Sequence, residues 1–149
     1  MDKLKITQLL ANCSDALATL EWALTWGLKN DEEIEQIEDL QEKAQAELSR
    51  DGLILRFEYT YELAWKLMKE VNSFLGVDCA SPKECMRYAL INGLIIDATR
   101  WFDYADSRNL IVHTYNRLNA KKITEKIEDF VVDMRKLIDD SKGVVDKIL

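Results

Sequence analysis

Residues 53–75, LILRFEYTYELAWKLMKEVNSFL, carry the clearest structural signal in the chain. Phe57, Tyr61, Ala64, Met68, Val71 and Leu75 recur at steps of three and four, which is one stripe of an α-helix. Trp65 and Leu67 widen the apolar surface. Glu58, Glu62, Lys66 and Lys69 place opposite charges at helix spacing on another side. Gly76 then supplies a stop.

The same period extends in both directions. Downstream, Ser81-Pro82 reads as a helix cap followed by proline at the first helical position, with Glu84 in the first turn. That short helix ends near Asn92-Gly93, and Asp97 caps the next, which runs to about Tyr115 with an expected irregularity at Asp103–Ser107. A last helix spans about Ala120 to Lys142, its apolar face including Ile123, Ile127, Phe130, Met134 and Leu137. Upstream, a helix from about Lys3 to Leu28 shows Leu9, Leu10, Cys13, Leu17, Leu20 and Leu24 on one side. Asn30 caps an acidic helix reaching about Leu48, and Ser49–Gly52 reads either as a fresh cap or as a weak point within one helix.

Turn residues are scarce: 5 Gly and 1 Pro in 149 residues, too few for the frequent turns of a sandwich or barrel. The expected fold is therefore all-α, an up-and-down antiparallel bundle of four core helices plus one or two short or extra ones. The length fits one domain, residues 1–149. No apolar run is long enough to span a membrane. The start, Met1-Asp2-Lys3-Leu4-Lys5, lacks the apolar core of a secretory signal, so a cytoplasmic location is expected. Cys13, Cys79 and Cys85 are odd in number and show no C-x-x-C, which reads as free, buried thiols. With one histidine, no metal site or cofactor is expected.

The net charge of −7 argues against a surface that grips nucleic acid everywhere. It is unevenly spread. Asp31–Glu42 holds seven acidic residues and no basic one, whereas residues 82–126 hold 8 basic against 5 acidic. A local basic face can hold a phosphate-bearing ligand despite the global sign.

Chemistry centres on the only histidine. Arg108-Asn109-Leu110-Ile111-Val112-His113-Thr114-Tyr115 puts a permanent cation, an amide, an imidazole and a phenol within two turns. Arg108 and Tyr115 lie about 20° apart around the helix, with Trp101 on the same row. Asn109, His113 and Asn116 form a second row roughly 100° away, so one helix alone does not focus both rows on one point. A facing helix, or the same helix from a second copy, would complete a pocket. Arginine binds phosphate in a bidentate way, and histidine moves protons near neutrality. The bland alternative pairs Arg108 with Asp103 or Asp106 and has His113 donate to a backbone carbonyl.

Two segments together, Arg56–Lys66 and the Arg-x4-His-x-Tyr run Arg108–Tyr115, resemble the HEPN domain family, in its HepT-like toxin or nucleotidyltransferase substrate-binding protein branch. The Ser81-Pro82 helix, Gly93-Leu94-Ile95 and Trp101 also fit, and the resemblance covers about residues 49–140. It implies a helical bundle that forms a homodimer, with two Arg-x4-His motifs in one cleft. It implies a metal-independent endoribonuclease toxin of a toxin–antitoxin module, acting on RNA (tRNA among the candidates) and not on DNA. The implied partner is a minimal nucleotidyltransferase antitoxin that silences the toxin by adenylylating the motif tyrosine. Carried over, Arg108 and His113 are catalytic, Asn109 is a supporting polar residue and Tyr115 is the modified residue. The alternative is a non-catalytic subunit that binds substrate or nucleotide for that nucleotidyltransferase. For Glu58, Glu62 and Trp65 the expectation is packing or a dimer contact, and the acidic 31–48 segment has no assigned role.

Overall fold

The computed structural model describes residues 3–27, 31–113 and 117–147, with side chains for 3–25, 33–111 and 123–147. The elements are α1 (Lys3–Gly27), α2 (Asp31–Glu35), α3 (Leu40–Phe74), α4 (Pro82–Ile91), α5 (Ala98–His113) and α6 (Arg117–Lys147). Among the described residues there is no strand. The fold is the all-α antiparallel bundle that the periodicity implies. The four long helices α1, α3, α5 and α6 form it, and α2 and α4 are the short additions.

Helix ends follow from local chemistry. Ser81 accepts from the Glu84 N–H at 3.4 Å, and Pro82 opens α4. Asp97 accepts from the N–H groups of Thr99 and Arg100 and so starts α5. Gly76 ends α3 with φ +93°. The Val77 N–H then reaches the Asn72 carbonyl at 2.9 Å and the Gly76 N–H reaches the Ser73 carbonyl at 3.0 Å. Gly93 closes α4 in the same manner at φ +78°.

Two expectations need correction. The acidic segment is not one helix: α2 stops at Glu35, and Asp39, with extended backbone, caps α3 by accepting from the Glu42 N–H at 3.1 Å. That cap competes locally with continuation, and buried Ile34 anchors the short helix before it. Asn30 lies outside the described residues. Of the two readings at Ser49–Gly52, the continuous helix holds; α3 runs through Gly52 for 35 residues, about 52 Å, because Leu53, Ile54 and Phe57 just beyond it are fully packed. The helix α5 passes without irregularity through Asp103–Ser107, where Ser107 bonds back to the Asp103 carbonyl at 2.9 Å instead of breaking the turn.

The cysteines also differ from expectation. Cys79 and Cys85 form a disulfide, and only Cys13 is a free thiol. Composition alone could not reveal that the Ser81-Pro82 turn brings the two Cα atoms within 5.3 Å.

The core is aromatic at its centre. Phe130 of α6 stands edge-to-face with Phe57 of α3 at 5.0 Å, and with Tyr104 and Trp101 of α5 at 5.2 and 5.7 Å. One α6 side chain thereby locks α3 and α5 together. The Tyr104 hydroxyl donates to Asp133, which also receives Arg100 Nε at 2.8 Å. Burial and the Asp133 carboxylate push the Tyr104 phenol pKa upward. The Thr60 hydroxyl donates to the Arg56 carbonyl of its own helix at 2.7 Å and, across the bundle, lies 3.5 Å from the Ala16 carbonyl; Lys5 pairs with Glu70 at 2.9 Å, and Arg135 of α6 reaches Glu21 of α1.

Candidate functional site

The site begins with the way α5 sits in the bundle. Trp101, Tyr104 and Ala105 are its buried apolar positions, and Arg108 comes next on that same row, one turn further. The row faces the core, so Arg108 is directed at α3 and not at bulk water; its side chain is 29% exposed. Asn109, the next residue, is exposed. The two rows thus diverge as helix spacing requires. His113 is the last residue of α5, four positions beyond Asn109; its side chain and Tyr115 lie outside the described residues.

What Arg108 meets is a pair of carboxylates spaced i, i+4 on α3, one of them held by Trp65 at i+7. Arg108 Nε lies 3.0 Å from Glu62 Oε1, and its Nη2 lies 3.9 Å from Glu58 Oε1. The other Glu62 oxygen accepts from the Trp65 indole N–H at 3.1 Å. Glu62 therefore bridges a neutral donor on its own helix and a cation on another. The Nε–H is not aligned on the carboxylate, so the contact is an ion pair and Nε has no hydrogen-bond partner among the described residues. Two carboxylates against one guanidinium leave local negative charge in the absence of a ligand. Tyr61, beside Glu62, is buried, and burial with the Glu62 charge raises its phenol pKa.

The alternative pairing of Arg108 with Asp103 or Asp106 is not found. Asp106 pairs with Lys83 of α4 at 2.8 Å, and Asp103 lies 4.0 Å from Lys126 of α6. Lys83 and Arg87 of α4 also stand over the Phe102 ring, at 5.9 and 5.3 Å. These contacts hold α5 from two sides while the aromatic core holds it from below. For Glu58, Glu62 and Trp65 the expectation is packing or a dimer contact; Trp65 does pack against the core, and in addition Glu58 and Glu62 face the motif arginine while Trp65 bonds to Glu62. Their i, i+4, i+7 spacing is visible in the sequence, but only the tertiary fold brings Arg108 opposite them.

A second feature adjoins the first. Leu48, Leu55 and Tyr59 lie on one side of α3 at i, i+7 and i+11 and are 70%, 65% and 60% exposed. Glu62 is the next step along that stripe. An apolar helix face open to water thus leads directly to the carboxylate that contacts Arg108. No helix among the described residues is long and apolar enough to cross a membrane.

Comparison with known proteins gives consistent results. The family model described as nucleotidyltransferase substrate binding protein like matches residues 10–143. A Haemophilus influenzae protein named "Probable ribonuclease HepT" is 34% identical over 94 residues; the match spans 59% of this chain and 64% of that relative's length. A Haemophilus influenzae structure, reported as revealing the fold of a substrate binding domain of a nucleotidyltransferase, is similar with TM-score 0.73 and 25% identity, over 89% of this chain and 98% of that one. A Thermus thermophilus crystal structure is similar with TM-score 0.68 and 31% identity, over 87% of this chain and 98% of that one.

Proposed function

This chain belongs to the nucleotidyltransferase substrate binding protein like family, HepT-like and HEPN-related, and from that premise we propose that it is a metal-independent endoribonuclease toxin acting as a homodimer. The observation that carries the reading is the divergence of the two rows of α5. Arg108 turns inward to α3, while Asn109 faces out and His113 follows one turn later along the helix. A single copy does not focus these groups on one phosphate. Two copies related by a two-fold axis supply two guanidiniums and two imidazoles to one cleft. Cleavage of RNA by its own 2′-hydroxyl needs a base for that hydroxyl and an acid for the leaving oxygen, and two histidines fill both roles. Two arginines stabilise the charge on the pentacoordinate phosphorus. The product is a 2′,3′-cyclic phosphate. The exposed Leu48–Leu55–Tyr59 stripe beside Glu62 is the surface this reading uses for the second copy.

In this reading a minimal nucleotidyltransferase is the antitoxin, both proteins are cytoplasmic, and Tyr115 is the residue adenylylated. Seven residues along the chain from Arg108, the added phosphate brings negative charge and bulk and occupies the cation that RNA requires. The name of the ribonuclease relative supports the enzymatic reading. A second reading, a non-catalytic subunit that binds substrate or nucleotide for the nucleotidyltransferase, is favoured by the family description and by the reported character of the Haemophilus fold.

One experiment separates them. Purified protein is incubated with several RNA classes, tRNA included, in EDTA, beside Arg108→Ala and His113→Ala variants of matched stability. Mass spectrometry first establishes that Tyr115 carries no adenylyl group. Cleavage with cyclic-phosphate ends, lost in both variants, is the expected result. Absence of cleavage by the unmodified wild type selects the binding-subunit reading.

A further inference from the structure

We propose that Glu62 is a positioning residue: its carboxylate, fixed by the Trp65 indole, sets the orientation of the Arg108 guanidinium toward the RNA phosphate. The inference rests on the ribonuclease reading for its catalytic consequence, but the geometry stands independently of it. An arginine on a helix surface samples many rotamers, and holding one of them is costly in entropy. Here one end of the arrangement is anchored. Trp65 Nε1–H donates to Glu62 Oε2 at 3.1 Å, which fixes the carboxylate on α3. The remaining oxygen lies 3.0 Å from Arg108 Nε, and Glu58 lies near Nη2 at 3.9 Å.

Both carboxylates thus approach one edge of the guanidinium, the edge formed by Nε and Nη2. The adjacent Nη1–Nη2 edge is left to a phosphodiester, whose two oxygens suit a bidentate contact. The ion pair is not aligned in the free chain, and such contacts commonly tighten when substrate binds. Phosphate binding at the Nη edge would draw Arg108 into register while Glu62 limits its rotation. Glu62 has an opposite effect on affinity, because its negative charge repels the RNA backbone. Removing that charge while keeping the shape should therefore tighten binding and slow chemistry together. A residue needed only for folding does not give this combination.

The test uses the full chain and a short single-stranded RNA substrate. Glu62→Gln is expected to lower kcat by about 10- to 100-fold, the range expected for a displaced reacting group, with KM unchanged or lower. Trp65→Phe, which removes only the indole donor, should lower kcat by a smaller factor in the same direction. It keeps the test valid if Glu62→Gln folds poorly. The loss in Glu62→Gln should exceed that in Glu58→Gln. The second readout is the Arg108 Nε–Hε NMR signal, assigned by its absence in Arg108→Lys. Its heteronuclear NOE should report an ordered side chain in the wild type and a mobile one in Glu62→Gln. Wild-type kcat in both Glu62→Gln and Trp65→Phe overturns the proposal, as does an unchanged side-chain NOE. If the wild type cleaves no RNA, the ribonuclease reading fails, and the side-chain NOE alone decides whether Glu62 positions Arg108.

Discussion

Cys79 and Cys85 are covalently joined across the turn that feeds α4, with Cα atoms 5.3 Å apart and both side chains buried. The bridge sits beside Asn72 of α3, which donates to the Cys85 carbonyl at 3.0 Å and accepts from Asn92 at 2.9 Å. The start of α4 is thereby tied to the end of α3, and α4 in turn braces α5 through Lys83 and Asp106.

Closing a loop of this length restricts the unfolded chain by about 2 kcal/mol. Reduction, or the paired change Cys79→Ser with Cys85→Ser, should therefore lower unfolding free energy by roughly that amount. Chemical denaturation with and without thiol reductant measures it. Identical curves under both conditions would show that the bridge contributes nothing to the native state.

The exposed stripe on α3 gives a prediction on assembly. Leu55→Glu or Tyr59→Lys places charge on the face proposed to meet a second copy, while Leu55 and Tyr59 make little use of the core at 65% and 60% exposure. The variants should sediment as monomers with wild-type circular dichroism, and RNA cleavage should fall at least about 100-fold, since each monomer lacks its second imidazole. A monomeric variant that cleaves normally would refute the shared cleft.

Cys13 supplies a pH dependence. Its thiol is fully buried, and burial pushes its pKa from the ordinary 9.0 up to about 12. Above pH 9 the unfolded chain releases this proton while the folded chain retains it. Fewer protons bound in the unfolded state means that stability falls as pH rises. Between pH 9 and 12 this one group should contribute a slope of up to about 1.4 kcal/mol per pH unit. Cys13→Ala should show a shallower decline than wild type in alkaline denaturation curves. Equal slopes would mean that the thiol is hydrated in the native state.

Two glycines should respond in opposite directions. Gly143 is inside α6 with open space where a Cβ would project, so Gly143→Ala should raise stability by about 0.5–1 kcal/mol. Gly76 has φ +93° at the end of α3, and Gly76→Ala should lower stability by about 1–2 kcal/mol although nothing obstructs the added carbon. Thermal melts of the two variants provide the comparison.

The features legible in the sequence are those governed by near neighbours. The stripe of residues 53–75, the Ser81-Pro82 start of α4, the Asp97 cap and the Gly76 stop all depend on groups within about one turn of one another. The acidic segment reads as one helix because its charges look equally helical throughout, and the Asp39 cap competes with continuation only once buried Ile34 fixes the turn before it. At Gly52 the local signal is a weak point, and packing just beyond it prevails.

Arg108 and His113 stand out as a candidate pair only through the family resemblance of their Arg-x4-His spacing, whereas the helices and their antiparallel class can be read from the chain unaided, because helical period is a local property. The divergence of the two rows of α5 can be read in the same way, since 100° per residue is fixed by backbone hydrogen bonding. What Arg108 faces is settled by packing at a distance. Phe130 holds α3 and α5 against each other, and that contact between remote segments brings Glu62 opposite Arg108 while Asp103 and Asp106 turn to lysines elsewhere. Such pairings depend on which helix faces meet in the core, and that choice is made by the fit of buried side chains far from the charges themselves.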